Sequence, residues 1–133
     1  MQNIALIAHD AKKPELARFL KSHEDWLPGV NLLATGRTAE FLEEQGIKCR
    51  HLSPGKSGGY NEITEMVGKG EIDIVIFLLD QKVVQPHHDD IRRLLEACNI
   101  HNIPLATNKA TAELVILGLI RREAIERMKR NID

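Results

Sequence analysis

The chain is short of the residues that build cross-linked or metal-held folds. It has two cysteines, Cys49 and Cys98, with no metal-ligand spacing between them. Cys98 falls in a helical pattern and Cys49 in a strand-like one, and both read as buried free thiols. Strong charge of either sign is also missing. Net charge is −1, from 18 basic and 19 acidic side chains. That balance gives no electrostatic case for nucleic acid or an anionic membrane, although a local cluster could hold a small anion. No apolar run approaches the roughly 18 residues of a membrane span. The start, Asn3-Ile4-Ala5-Leu6-Ile7-Ala8, carries neither a charged leader nor a cleavage pattern. A cytoplasmic protein is expected. There is no internal repeat, low-complexity segment or linker. The 133 residues are therefore expected to form one domain, 1–133, with a core that needs no disulfide.

What the sequence does have is one strongly apolar strand followed by acids and imidazoles. Ile74 to Leu79 is an unbroken apolar run, which suits a strand buried on both faces at the middle of a parallel sheet. Asp80 ends it, and Pro86-His87-His88-Asp89-Asp90 follows. Ligands of parallel sheets bind beyond the carboxyl ends of the strands, so this stretch marks the place for chemistry.

The remaining elements alternate. Ile4 to Ala8 reads as the first strand, and a helix then follows Pro14 to about His23. Val30 to Ala34 is the second strand. Thr38 is expected to cap a helix carrying Phe41 and Leu42, which Gly46 stops. Ile47 to Leu52 reads as a third strand. A helix through Ile63, Met66 and Val67 ends at Gly70, and another begins near His88 or Asp89. The last strand spans Asn102 to Asn108. A helix then starts at Thr111, and a charged amphipathic tail runs from Arg121 to Arg130. The pattern predicts an α/β fold, a three-layer sandwich around a parallel sheet of about five strands.

Topology collects the polar loops at one sheet edge. Thr35-Gly36-Arg37-Thr38, before a helix, suits a phosphate, with Lys13 and Arg37 as sources of charge. The glycine loop at 55–59 lacks Walker spacing. The run His87-His88-Asp89-Asp90 invites a metal reading. Neighbours at a helix start point about 100° apart, however, so both histidines are not expected on one ion. A neutral His87 acting on a carbonyl oxygen is the better expectation. His23, His51 and His101 read as solvated surface.

These pieces, in order and spacing, resemble methylglyoxal synthase over nearly the whole chain. The matching stretches are Ile4-Ala5-Leu6-Ile7-Ala8-His9-Asp10, Ala34-Thr35-Gly36 with Thr38, Gly58-Gly59, and Ile72 to Phe77 with Asp80. Pro86-His87 with Asp90 and Ile103 to Ala112 complete them. The resemblance implies conversion of dihydroxyacetone phosphate to methylglyoxal and phosphate, with no metal or cofactor. It further implies a homohexamer that phosphate inhibits. It puts Lys13, Thr35, Gly36, Thr38 and Gly55 at the phosphate, beside Arg37, Gly58 and Gly59. It puts His87 on the substrate oxygens, and His9, Asp10, Asp80 and Asp90 at positions that orient or tune the site.

The chain departs from the family pattern in four places. Tyr60 stands at the position of the family's catalytic Asp, and Pro54 at that of a phosphate-binding serine. Arg37 replaces a small hydroxyl residue, and His88 an acid. A tyrosine with a pKa of about 10 is a poor base at neutral pH. Two readings follow. In one the chain is a methylglyoxal synthase, impaired to the extent that Tyr60 replaces the base, in which Asp10 or Asp90 abstracts the proton. In the alternative it is a non-catalytic phosphate- or effector-binding regulatory protein of the same fold.

Overall fold

Within residues 1–82 and 88–132, which the computed structural model describes, five strands alternate with five α-helices. β1 (Gln2–Ala8) leads to α1 (Lys13–Lys21), and β2 (Val30–Ala34) to α2 (Gly36–Glu44). β3 (Arg50–His51) leads to α3 (Gly59–Gly68), β4 (Ile74–Leu78) to α4 (His88–Ile100), and β5 (Leu105–Ala106) to α5 (Lys109–Ile132). All four ladders are parallel, in the order β3-β2-β1-β4-β5.

Alternation along the strands builds the three layers. From β1, Ile4, Leu6 and Ala8 pack with Leu16 and Leu20 of α1, Leu42 of α2 and Ile116 of α5. Ala5 and Ile7 point the other way, with Val75 and Phe77, onto Ile63 of α3 and Leu94 of α4. Every residue of β4 is buried, as its unbroken apolar run requires. The expected α/β sandwich is therefore the observed architecture.

Several boundaries differ from the expectation. The third strand shrinks to Arg50–His51 because it is an edge strand, held among the described residues only by Leu33 and Ala34 of β2. The last strand shrinks to Leu105–Ala106: Pro104 has no N–H for a ladder, and Asn102 takes a φ of 55°. α1 stops at Lys21, where the Ser22 hydroxyl donates to the Phe19 carbonyl at 2.6 Å. The last helix and the tail are one element, α5, whose first turn is capped by Asn108 Oδ1 accepting from the Thr111 amide at 2.9 Å. His23 is not solvated as expected. Its Nε2 is buried, and its ring meets Phe19 edge-on at 5.3 Å. Both cysteines are free, Cys98 buried and Cys49 only partly so. Among the described residues no helix is long and apolar enough to cross a membrane.

The strand order reverses direction between β1 and β4. β1 extends outward through β2 to β3, and the chain then returns to place β4 on β1's other side. Such a switch point opens a crevice at the carboxyl ends of the two strands. His9 and Asp10 leave β1 there, and Asp80 follows β4.

Candidate active site

A cavity of about 450 Å³ opens at that switch point. His9, Asp10, Lys13 and Asp80 line it from the β1 and β4 side. Thr35, Arg37 and Thr38 line it from the start of α2, and Pro54, Gly55, Ser57 and Tyr60 from the loop before α3.

Lys13 is the buried cation of the site, only 8% exposed. α1 begins at this residue, and its Nζ bends back to donate to the Ala8 carbonyl at 2.9 Å and to Asp10 Oδ1 at 2.7 Å. Burying an amine this far from water costs free energy, which its two hydrogen-bond partners offset. Asp10 meets a second cation at its other oxygen, with Arg37 Nη2 at 3.5 Å from Oδ2. Both of these side chains are mostly exposed at the cavity rim.

The start of α2 corrects one expectation. The helix begins at Gly36 with Thr35 as its N-cap residue, so Thr38 lies inside the first turn and does not cap it. The Thr38 hydroxyl instead accepts from the Ala8 amide at 3.3 Å and lies 3.4 Å from Thr35 Oγ1. It ties the helix start to the end of β1. The Gly36 amide donates to the Ser53 carbonyl at 3.2 Å. The amides of Arg37 and Thr38 belong to the same first turn, where no preceding helical carbonyl exists to accept them. An anion at this end would meet those donors and the positive end of the helix dipole.

His9 has a defined tautomer. Its Nδ1 accepts from the Asp80 amide at 2.8 Å, so a neutral ring carries its proton on Nε2. Nε2 is buried without a partner among the described residues. Burial pushes the imidazole below its ordinary value, against an opposing pull from the Asp80 charge. The ring also sits edge-on to Phe77 at 5.5 Å. His9 therefore borders the cavity as a neutral ring whose Nε2–H is itself buried, a donor type suited to an oxygen that gains negative charge.

That burial gives a pH prediction. Between the lowered folded value and the unfolded value of 6.5, the unfolded chain binds more protons at His9 than the folded chain does. The His9 contribution to stability is therefore complete above 6.5 and is lost as pH falls through that window. Urea midpoints are expected to drop from about pH 7.5 to about pH 5.5, and to drop less in His9→Asn. Equal slopes for the two proteins would contradict this.

Tyr60 lines the cavity but is itself buried, 6% exposed. Its ring stacks on Phe77, with centroids 5.7 Å apart and planes 16° from parallel. It lies across Gly55 so closely that a Cβ there would stand 2.6 Å from Tyr60 Cζ. Burial first, and the Asp10 charge second, push the phenol above its ordinary value. It remains protonated at neutral pH.

The remaining expected residues divide. Gly36, Gly58 and Gly59 are absent from the lining among the described residues. A Cβ on Gly59 would stand 2.2 Å from the Ser53 carbonyl oxygen, so this glycine serves close packing of the loop on α3. Asp90 sits on the first turn of α4 with its Oδ1 3.5 Å from Arg93, and it too is absent from the lining. His87 lies outside the described residues. Ser57, part of the polar loop expected at this edge but not among the expected site residues, also lines the cavity.

The chain matches the MGS-like domain family over residues 15–107. It is 48% identical over 118 residues to the methylglyoxal synthase of Thermoanaerobacterium thermosaccharolyticum, covering 88% of each chain. It is 44% identical over 122 residues to that of Exiguobacterium sibiricum, covering 91% of this chain and 85% of the relative. The crystal structure of methylglyoxal synthase from Elizabethkingia anophelis is similar with a TM-score of 0.80 at 37% identity, covering 86% of this chain and 76% of that one.

Proposed function

This chain belongs to the methylglyoxal synthase family, and on that premise we propose that it is a carbon–oxygen lyase converting dihydroxyacetone phosphate to methylglyoxal and phosphate. The observation that carries this reading is the meeting of three groups in one cavity. These are the buried Lys13 ammonium, the His9 Nε2–H of fixed tautomer, and the carboxylates of Asp10 and Asp80.

The chemistry needs each of them. A base takes a proton from the hydroxymethyl carbon, and the pair left behind forms the enediolate as the carbonyl oxygen gains charge. His9 Nε2–H is suited to that oxygen, with His87 beside it by the family resemblance. The former hydroxymethyl oxygen then becomes the aldehyde as its proton leaves. The double bond shifts by one position, and the C–O bond to phosphate breaks with its pair. The phosphate would sit on Lys13 and the first turn of α2, whose donors stabilise its charge as it departs. The enol released takes a proton on its terminal carbon and becomes methylglyoxal. No step calls for a metal or cofactor.

A cytoplasmic location and a homo-oligomer, a hexamer by the resemblance, belong to the same proposal. The exposed Leu114, Leu117 and Met128 of α5 support self-association.

One observation favours a second reading. Tyr60 stays protonated at the base position, so the same cavity could hold phosphate as a regulatory site without turning anything over. A turnover assay on dihydroxyacetone phosphate with inorganic phosphate as competitor separates the two. The lyase reading predicts turnover that phosphate inhibits competitively. Phosphate binding without turnover would leave the regulatory reading.

A further inference from the structure

Tyr60 is the chain's only tyrosine, and packing holds its ring against Phe77 and Gly55. The hydroxyl at the ring's tip is not held in the same way. Among the described residues no hydrogen bond engages it, and the Thr64 hydroxyl at 2.9 Å goes to the Tyr60 backbone carbonyl instead. Among the same residues the sealed side-chain atoms without a partner are His9 Nε2, His23 Nε2 and Trp26 Nε1. The phenol oxygen is not one of them, so it reaches open space. An unpaired O–H that opens on the cavity its own ring lines is a donor available to a ligand.

Two contacts put that donor at the anion end of the cavity. A Cβ on Gly55 would stand 2.9 Å from the hydroxyl oxygen, so the phenol tip lies over Gly55. Pro54, one residue earlier, packs on the start of α2, where a Cβ on Gly36 would stand 3.1 Å from the Pro54 nitrogen. From the other side the Asp10 charge acts on the phenol, and Asp10 Oδ1 is 2.7 Å from Lys13 Nζ. The tip therefore faces the region between Lys13 and the first turn of α2. Other hydroxyls of that wall are engaged. Thr35 Oγ1 and Thr38 Oγ1 are buried 3.4 Å from each other, and Thr38 Oγ1 is 3.4 Å from the Ala8 carbonyl. Pro54 brings neither a hydroxyl nor an N–H. Lys13 gives N–H groups to Ala8 and Asp10 and keeps a third for a ligand. A phosphate here has more acceptor sites than Lys13 and the first-turn amides fill, and a neutral O–H adds a donor to a charged acceptor.

We propose that the Tyr60 hydroxyl is a ligand-binding group, which donates to the phosphate held by Lys13 and the first turn of α2. Where the family pattern has a base, this chain carries an anion donor. The inference rests on the phosphate site that the lyase and regulatory readings share, and the Asp10 ion pairs stay as they are.

Tyr60→Phe tests it, because this variant removes one oxygen and keeps the ring on Phe77 and across Gly55. Its melting temperature should stay within about 2 °C of the unmodified chain. Its affinity for inorganic phosphate, measured by calorimetry, should fall about tenfold or more, the loss of one hydrogen bond to a charged group. A lone tyrosine labelled with ¹³C at Cζ gives a single NMR resonance in the unmodified chain, and saturating phosphate should shift it. Equal phosphate affinity in Tyr60→Phe, or a resonance that phosphate leaves in place, would overturn the assignment. Lys13→Met should still weaken phosphate in that case, and the site would stand without its phenol donor. An unmodified chain that binds no phosphate would instead defeat the phosphate site itself, and the assignment with it.

Discussion

Lys13→Met should lower kcat/KM for dihydroxyacetone phosphate by about 10²–10³-fold, the range seen when a charge-stabilising donor is removed from an active site. Phosphate should bind at least tenfold more weakly, since a hydrogen bond to a charged group contributes about 1.5–3 kcal/mol. Met suits the test because it keeps the length and apolar stem of a side chain that is only 8% exposed. The loss then falls on the ammonium and not on packing. Two hydrogen bonds disappear with it, one to the Ala8 carbonyl and one to Asp10. Asp10 keeps Arg37 as a partner, so the fold should survive with a small change in melting temperature. Lys13→Arg should rescue poorly, because a planar fork does not fit where one compact Nζ meets a carbonyl and a carboxylate together. Kinetics on folded variants, with calorimetry for phosphate, check both parts. Unchanged phosphate affinity in Lys13→Met would remove Lys13 from the site.

Gly59→Ala, at the first residue of α3, should be the most destabilising single methyl addition among the glycines at 55–59. A Cβ there would stand 2.2 Å from the Ser53 carbonyl oxygen and 3.0 Å from two backbone atoms of Pro54. Backbone has no alternative rotamer, so either the loop or the helix start must move. Neither is free to do so. The Ser53 carbonyl accepts the Gly36 amide at the start of α2, and the Pro54 carbonyl accepts the Gly59 amide at 3.0 Å. The Ser53 amide is in turn held by Glu62 Oε1 at 3.1 Å. Overpacking of this kind costs about 3 kcal/mol, the upper part of its usual range, which lowers Tm by roughly 10 °C in a domain of this size. Gly29→Ala is the control, since a Cβ there has nothing within 4 Å and should leave Tm within about 2 °C. A melt in which the two variants coincide would refute the close approach.

Much of this arrangement was legible in the residues, and where it was not the reason is physical. β4 was visible because burial on both faces demands an unbroken apolar run, and Ile74 to Leu78 supplies one. The gathering of His9, Asp10 and Asp80 followed from parallel topology alone. The ends of β3 were not visible, because an edge strand is as long as its neighbour allows, and among the described residues only Leu33 and Ala34 pair with it. The sequence points to the Thr38 hydroxyl as a cap, and the structure does not use it so. Local sequence favours a threonine near a helix start, but a tertiary contact with the Ala8 amide claims it. The close approach of Gly59 to residues 53 and 54 is a tertiary contact that its neighbours in the loop do not reveal. Tyr60 is legible as the chain's departure at the base position. Its stacking on Phe77 and its lie across Gly55 could not be read from spacing.

The most direct measurement takes the unmodified chain, Tyr60 included, and follows dihydroxyacetone phosphate and its products by NMR. Methylglyoxal and inorganic phosphate are predicted to appear in equal amounts, faster than in the absence of protein, and unaffected by a chelator. Dihydroxyacetone phosphate recovered unchanged, while phosphate still binds at the cavity, would contradict the lyase and leave a binding protein.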